Sequence, residues 1–354
     1  MKVLFIGGTG TISAAISRRV LELGWDLWLL NRGNRPPESW GAPAERVPGG
    51  PALGTLRQIA CDISNEAEAA RKLAGLEFDA AADFIAFTPD QVERDLRLLK
   101  GKTAQYIYVS SASAYQKPLS SYLVNEGTPL ANPYWEYSRN KIACEESLLR
   151  AYRETGFPVT IVRPSHTYDE RKVPLGVHGK KGSWQVVKRI IEGKPVIIHG
   201  DGTSLWTMTH NSDFARAFTG LMGNSRALGE AVQITSDETL CWNQIYQAIA
   251  GALGKPLKAV HVSSEFLAQA GPDYDFLGGL TGDKAVSVVF DNAKLKRLVP
   301  GFSAQIRFDQ GIRGTMAYLL AHPELQTADP EFDAFCDRVI ALREKALAEL
   351  AAAF

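Results

Sequence analysis

Hydrophobic and polar positions follow two rhythms along the first half of the chain. Short apolar runs rich in β-branched and aromatic residues, at Lys2–Ile6, Asp26–Leu30, Arg57–Ala60, Ala80–Ile85, Gln105–Val109 and Val159–Val162, read as strands. Between them the apolar spacing lengthens and predicts helices over Thr11–Leu23, Asn65–Leu73, Pro89–Leu99 and Tyr134–Glu154. Strand and helix in alternation imply an α/β fold, a doubly wound parallel sheet with helices on both faces. The stretch Gly33–Gly54, dense in proline and glycine, reads as a surface excursion.

After Arg163-Pro164 the texture changes to a basic, glycine-containing loop (Asp169–Ser183), a helix and a short strand over Pro195–His199. Ala231–Thr235 then reads as one more strand of the first sheet. Two interleaved domains are expected, one from residues 1–165 with 206–240 and a smaller one from 166–205 with 241–354. The alanine-rich tail Asp329–Phe354 reads as a helix that packs on the body or on a partner subunit.

The 354 residues suffice for two substantial cores. Lys plus Arg (39) balance Asp plus Glu (39), so no global field gathers polyanions, and neither nucleic acid nor membrane is an expected partner. Cys61, Cys144, Cys241 and Cys336 form no CxxC pair and have no neighbouring histidine. They read as reduced thiols, and no metal site is expected. Lys2–Ile6 breaks at once into Gly7-Gly8, too early for a secretory leader, and no run reaches membrane-span length. These features point to a soluble, cytoplasmic protein.

The first strand runs into Gly7-Gly8-Thr9-Gly10-Thr11-Ile12-Ser13 and a helix. Such a turn lets the backbone approach a pyrophosphate, whose charge rests on the helix N-terminus, and it makes the first domain Rossmann-like and dinucleotide-binding. Gly7, Gly10, Thr11 and Ile12 are the expected cofactor contacts; Ser13 stands where a third glycine is usual and adds a side chain near the sheet. At the end of the second strand Asn31-Arg32 stands where an acid would grip the ribose of NAD, which favours NADP and leaves NAD usable. Asp62 either contacts the adenine edge or caps the helix beginning near Asn65.

With 11 tyrosines in the chain, a Tyr-x-x-x-Lys pair arises by chance about 0.5 times, so context has to decide. Tyr137 and Lys141 sit one turn apart on a predicted helix, and they follow a strand that ends in Ser110-Ser111-Ala112-Ser113-Ala114-Tyr115. With Arg163-Pro164-Ser165-His166-Thr167-Tyr168, Gly200-Asp201-Gly202 and Asp213, the chain resembles the extended short-chain dehydrogenase/reductase family, which includes NAD-dependent epimerases and dehydratases. The resemblance spans residues 1 to about 310 and implies Ser111, Tyr137 and Lys141 as the catalytic set. It adds Pro164 and His166 on the cofactor side, and Ser113, His166 and Trp206 on the substrate side. A phenol titrating near 10 needs about 4 kcal/mol of help to work as an acid/base near neutrality. Lys141 and an oxidised nicotinamide are the expected sources.

The same resemblance narrows the substrate. Ala112 and Ser113 stand where 4,6-dehydratases carry Asp-Glu, which disfavours dehydration. Trp206 and Leu280 fall where nucleotide-sugar members place two diphosphate-clamping arginines. The expectation is an NAD(P)-dependent oxidoreductase or epimerase acting at a secondary alcohol or ketone of a small, sugar-like substrate without a nucleotide. An NDP-sugar epimerase and a non-catalytic RNA-binding or cofactor-sensing protein are the alternatives, the former against the clamp positions. Trp206 stacks on a sugar ring or fills the core; His166 bonds a substrate hydroxyl or serves the structure. Lys180 and Lys181 meet a substrate anion or stay solvated, and His210 is structural. The resemblance also implies a homodimer through the helices starting near Pro89 and Tyr134, with Ile142, Leu148 and Leu149 as contacts.

Overall fold

The computed structural model of the chain describes residues 1–44 and 49–354. Residues 45–48 of the proline- and glycine-rich excursion lie outside the described residues. Seven strands build one wholly parallel sheet: β1 (Lys2–Ile6), β2 (Asp26–Asn31), β3 (Leu56–Ala60), β4 (Ala80–Asp83), β5 (Tyr106–Val109), β6 (Val159–Pro164) and β7 (Ala231–Ile234). Their order is β7-β6-β5-β4-β1-β2-β3. The chain therefore reverses direction across the sheet between β1 and β4, and the crevice at their carboxyl ends is where such sheets take ligands. The fold is the Rossmann-type α/β architecture.

Side-chain alternation produces the two helical layers. On β1, Val3 and Phe5 pack with Ile16 and Val20 of α1 (Thr11–Glu22) and with Phe214 and Phe218 of α6 (Asn211–Leu221). Leu4 and Ile6 point the other way, into a core with Leu98 and Leu99 of α3 (Pro89–Leu99) and Cys144 and Leu148 of α4 (Glu136–Thr155). Each such buried side chain contributes about 1.5–3 kcal/mol. Leu148 is thus fully buried in its own subunit and is withdrawn from the expected dimer contacts. The remaining helices of this half are α2 (Glu66–Lys72) and, beyond the sheet, α5 (Trp184–Ile191).

β4 stops at Asp83, two residues before the apolar run ends. The Asp83 carboxylate accepts the backbone N–H groups of Ile85 and Ala86 and turns the chain. A further core gathers Ile198, Trp242, Tyr246, Phe308 and Phe332. Short parallel pairings brace it, Met208–His210 on His166–Tyr168 and Ala259–Val262 on Val196–His199. Ala112, Tyr115 and Val124 enter this third core while Leu295 and Phe302 enter the first, so packing crosses the expected division of the chain. The tail forms the helix Pro330–Ala353, whose first half packs on the body through Phe332, Phe335 and Val339 and through Arg189, which pairs with Asp333 and Asp337. Among the described residues no helix is long and apolar enough to cross a membrane.

Candidate active site

The glycine turn and the strand ends open a cavity of about 510 Å³, walled by Gly7 to Gly10, Asn31, Arg32, Arg35, Asp62 and Ile85 among others. Gly7 and Gly8 take φ of +97° and +95°, where L side chains are strained. A Cβ on Gly8 would come within 2.5 Å of Leu29 Cδ2. Ser13 does not crowd the sheet: its hydroxyl accepts the Gly10 N–H at 2.9 Å at the opening of α1. The amides that open α1 and the bare Gly7-Gly8 backbone together make the cradle a pyrophosphate requires, so the residues present fit a dinucleotide. Arg35 crosses above the turn and donates to Thr9 O at 2.8 Å, whereas Arg32 stays exposed at the rim. Asp62 does not cap α2. Asn65 does, while the Asp62 carboxylate accepts from Ser64 backbone and hydroxyl, an arrangement that lowers its pKa.

A second cavity of about 360 Å³ adjoins the first where Gly10 gives way to Thr11 and Ile12. Its wall holds Ser111, Ser113, Tyr137, Pro164, Ser165, His166 and Trp206, so the structure brings the expected substrate-side and catalytic hydroxyl groups to one place. The Ser111 and Ser113 hydroxyls bond each other at 2.9 Å. Ser138 in turn donates to Ser113 at 2.8 Å. Ser113 is therefore occupied within the protein and orients Ser111, the hydroxyl left facing the cavity.

Lys141 lies one turn beyond Tyr137, buried, with its ammonium 5.9 Å from the Tyr137 ring centroid. It donates to the carbonyls of Ala86 and Val109, both at 2.8 Å, and sits over the Phe87 and Tyr108 rings. Burial pushes its pKa down to about 8. The phenol itself is pushed up, first by burial, with the neighbouring Ser111 hydroxyl opposing and the charge of Asp283 adding to the rise. The expected lowering by Lys141 is thus not realised by the chain's own residues; two backbone carbonyls hold the ammonium instead of the phenol oxygen.

His166 is held neutral, its pKa driven well below the usual range by burial and by the charges of Lys284 and Lys172. Its Nδ1, the Ser165 hydroxyl and the Trp206 indole N–H are all buried without a partner among the described residues. Trp206 is only 3% exposed and packs beside Trp242 at 6.0 Å, so it offers the cavity no open face for stacking. Leu280 is fully buried. The ring open to the cavity is Trp135, 4.9 Å from Tyr137, and sequence reading missed it. It also missed Lys172, Asp283 and Lys284, which supply the cavity's charge. Lys180 lies over the Tyr274 ring and the Lys181 amide donates to Asp329; neither lines the cavity. His210 caps α6 through Ser212. No group of three metal-ligating side chains forms among the described residues.

Residues 3–235 match the model of the NAD dependent epimerase/dehydratase family. The chain is 27% identical over 302 residues to a 2'-dehydrokanamycin reductase of Streptomyces kanamyceticus, covering 85% of this chain and 80% of that protein. It is 28% identical over 262 residues to the chloroplast stem-loop binding protein of 41 kDa b of Arabidopsis thaliana, covering 72% of this chain and 64% of that one. The UDP-glucuronic acid 4-epimerase of Bacillus cereus, solved in complex with NAD, shares the fold at a TM-score of 0.70 and 17% identity, over 93% of this chain and 99% of that one.

Proposed function

Because the chain is an enzyme of the NAD dependent epimerase/dehydratase family, we propose that it moves a hydride at a secondary alcohol or ketone of a small, sugar-like substrate without a nucleotide, through Ser111, Tyr137 and Lys141. The observation that carries this reading is the meeting of Tyr137 and Ser111 with Thr11 and Ile12, the opening of the glycine-turn helix, around one cavity. A nicotinamide dinucleotide, when bound, supplies the hydride donor or acceptor. Ser111 donates a hydrogen bond to the reacting oxygen and orients it. Tyr137 gives that oxygen its proton in reduction and takes it in oxidation. Lys141, fixed by Ala86 and Val109, holds a positive charge behind the phenol ring, which favours phenolate only together with the positive nicotinamide of the oxidised cofactor.

Gly7, Gly10, Thr11, Ile12, Asn31, Arg32, Asp62, Pro164 and His166 hold the cofactor in this reading. NADP is preferred, because Arg32 is exposed at the cavity rim and no acid stands beside it on β2. Residues 1–165 with 206–240 form the cofactor domain, and 166–205 with 241–354 the substrate domain. Burial of Trp206 and Leu280 supports the exclusion of nucleotide-sugars, since neither position offers a cation to a diphosphate. The reductase relative favours net reduction over epimerisation. A homodimer through α3 and α4 and a cytoplasmic location complete the reading.

Nicotinamide absorbance followed with NADPH against keto-sugars, and with NADP⁺ against sugars, tests it. Stoichiometric cofactor change supports the oxidoreductase; isomerisation without net change supports the epimerase. A second reading, RNA binding, is favoured by Asn31-Arg32-Gly33 together with the stem-loop binding relative. Salt-sensitive gel shifts indifferent to Tyr137→Phe, with no cofactor turnover, would establish it in place of the first.

A further inference from the structure

The charge of the substrate cavity comes from residues that the catalytic reading does not use. Lys172, Asp283 and Lys284 line it, the last two at the end of a π-helical segment over Leu277–Lys284. Such segments recur at functional sites. The Lys284 ammonium, its side chain 14% exposed, bonds Asp283 at 3.0 Å and Gly279 O at 3.2 Å and stands 5.7 Å from the Trp135 ring. An ammonium has three donors, so one is left for the cavity.

The backbone beneath Lys284 is fixed to an unusual degree. Its carbonyl accepts from His199 Nε2 at 3.1 Å, Trp242 Nε1 at 3.2 Å and Ser204 Oγ at 3.4 Å. Asp283 is opposed by more than one cation, since buried Lys117 also feels its attraction and Lys284's repulsion, and exposed Lys172 lines the same cavity. His166 adds no charge. Beside these groups the buried Trp206 N–H and Ser165 hydroxyl wait without partners in the same wall. The cavity is therefore net positive and has unsatisfied donors, a combination that suits a ligand carrying negative charge on oxygen.

We propose that the substrate carries a single oxyanion group, carboxylate or phosphate monoester, and that Lys284, with Lys172 of the same cavity wall, receives that group. The proposal rests on the reading of the second cavity as the substrate site. It makes Lys284 a specificity-determining residue in place of the absent diphosphate clamp.

The test is calorimetric titration of the NADP⁺-loaded protein with D-glucuronate, D-glucose 6-phosphate, D-glucose and D-glucosamine, together with their galacto counterparts. Within the gluco or the galacto set, an oxyanion-bearing probe is expected to bind at least about tenfold tighter than the neutral sugar. Glucuronate against glucose 6-phosphate, and likewise in the galacto set, separates carboxylate from phosphate. Lys284→Gln is expected to abolish the preference, Lys284→Arg to retain it, and Lys172→Gln, at an exposed position, to weaken it. NADP⁺ affinity and thermal unfolding, measured in parallel, show whether each variant is folded. The proposal is overturned if neutral or amino sugars bind as tightly, if no oxyanion probe binds, or if a folded Lys284→Gln protein keeps the preference. The underlying reading fails differently: the protein then binds no NADP⁺, or turns over equally well with Tyr137→Phe.

Discussion

Lys141→Met should separate the electrostatic cost of the buried ammonium from its use. Burial lowers the Lys141 pKa from 10.5 to about 8. At about 1.36 kcal/mol per unit, the charged side chain therefore weakens the folded state near neutrality by about 3 kcal/mol. Removing it also strips a donor from the Ala86 and Val109 carbonyls, which costs about 1–3 kcal/mol, so the net change at about pH 7 is small. The pH dependence is the discriminating quantity. Because the folded pKa lies below the unfolded one, the unfolded chain still holds its proton between about pH 8 and 10.5 when the folded chain has released it. Stability from this group consequently rises with pH across that window. From about pH 7 to about pH 9.5 the wild type should gain about 2 kcal/mol relative to Lys141→Met in urea unfolding. The buried tyrosines titrate in both proteins and cancel in the difference, and placing Cys144→Ala in both removes the thiol that the Lys141 charge reaches. Parallel pH profiles for the two proteins would refute the argument that this ammonium is held against its solvation.

Two further variants probe other parts of the account. Arg32→Asp should shift the ratio of kcat/KM for NADPH over NADH by about tenfold or more toward NADH; an unchanged ratio would remove Arg32 from cofactor choice. Arg163→Met should cost about 3–5 kcal/mol in urea unfolding, because it strands Glu145, which is 1% exposed and bound by Arg163 at 2.6 Å. Adding Glu145→Leu should recover a large part of that loss, and a double variant no more stable than the single one would contradict this origin.

What the sequence disclosed followed from local rules. The unbroken apolar run Val3-Leu4-Phe5-Ile6 marks a strand buried on both faces, and the glycine pair after it leaves few conformations open. The return of Ala231–Ile234 to the sheet was legible for the same reason, since a short β-branched run there matches β6. The end of β4 was not legible, because a side-chain carboxylate, Asp83, captures the backbone against the apolar pattern. Nor was the orientation of Leu148 or the lodging of Lys141 on two carbonyls, which depend on how α4 is rotated against β5 and α3. The cavity's cations escaped entirely: Lys172 and Lys284 come from a loop and a π-helical turn separated by more than a hundred positions, with no periodicity to link them.

The central claim is that the Tyr137 phenol moves the proton while a bound nicotinamide exchanges hydride. Single-turnover kinetics of Tyr137→Phe, saturated with NADPH and a reducible sugar that the wild type accepts, test it most directly. The account predicts hydride transfer slowed by about 10²–10⁴-fold with NADPH affinity unchanged. Transfer at the wild-type rate in that variant would contradict it.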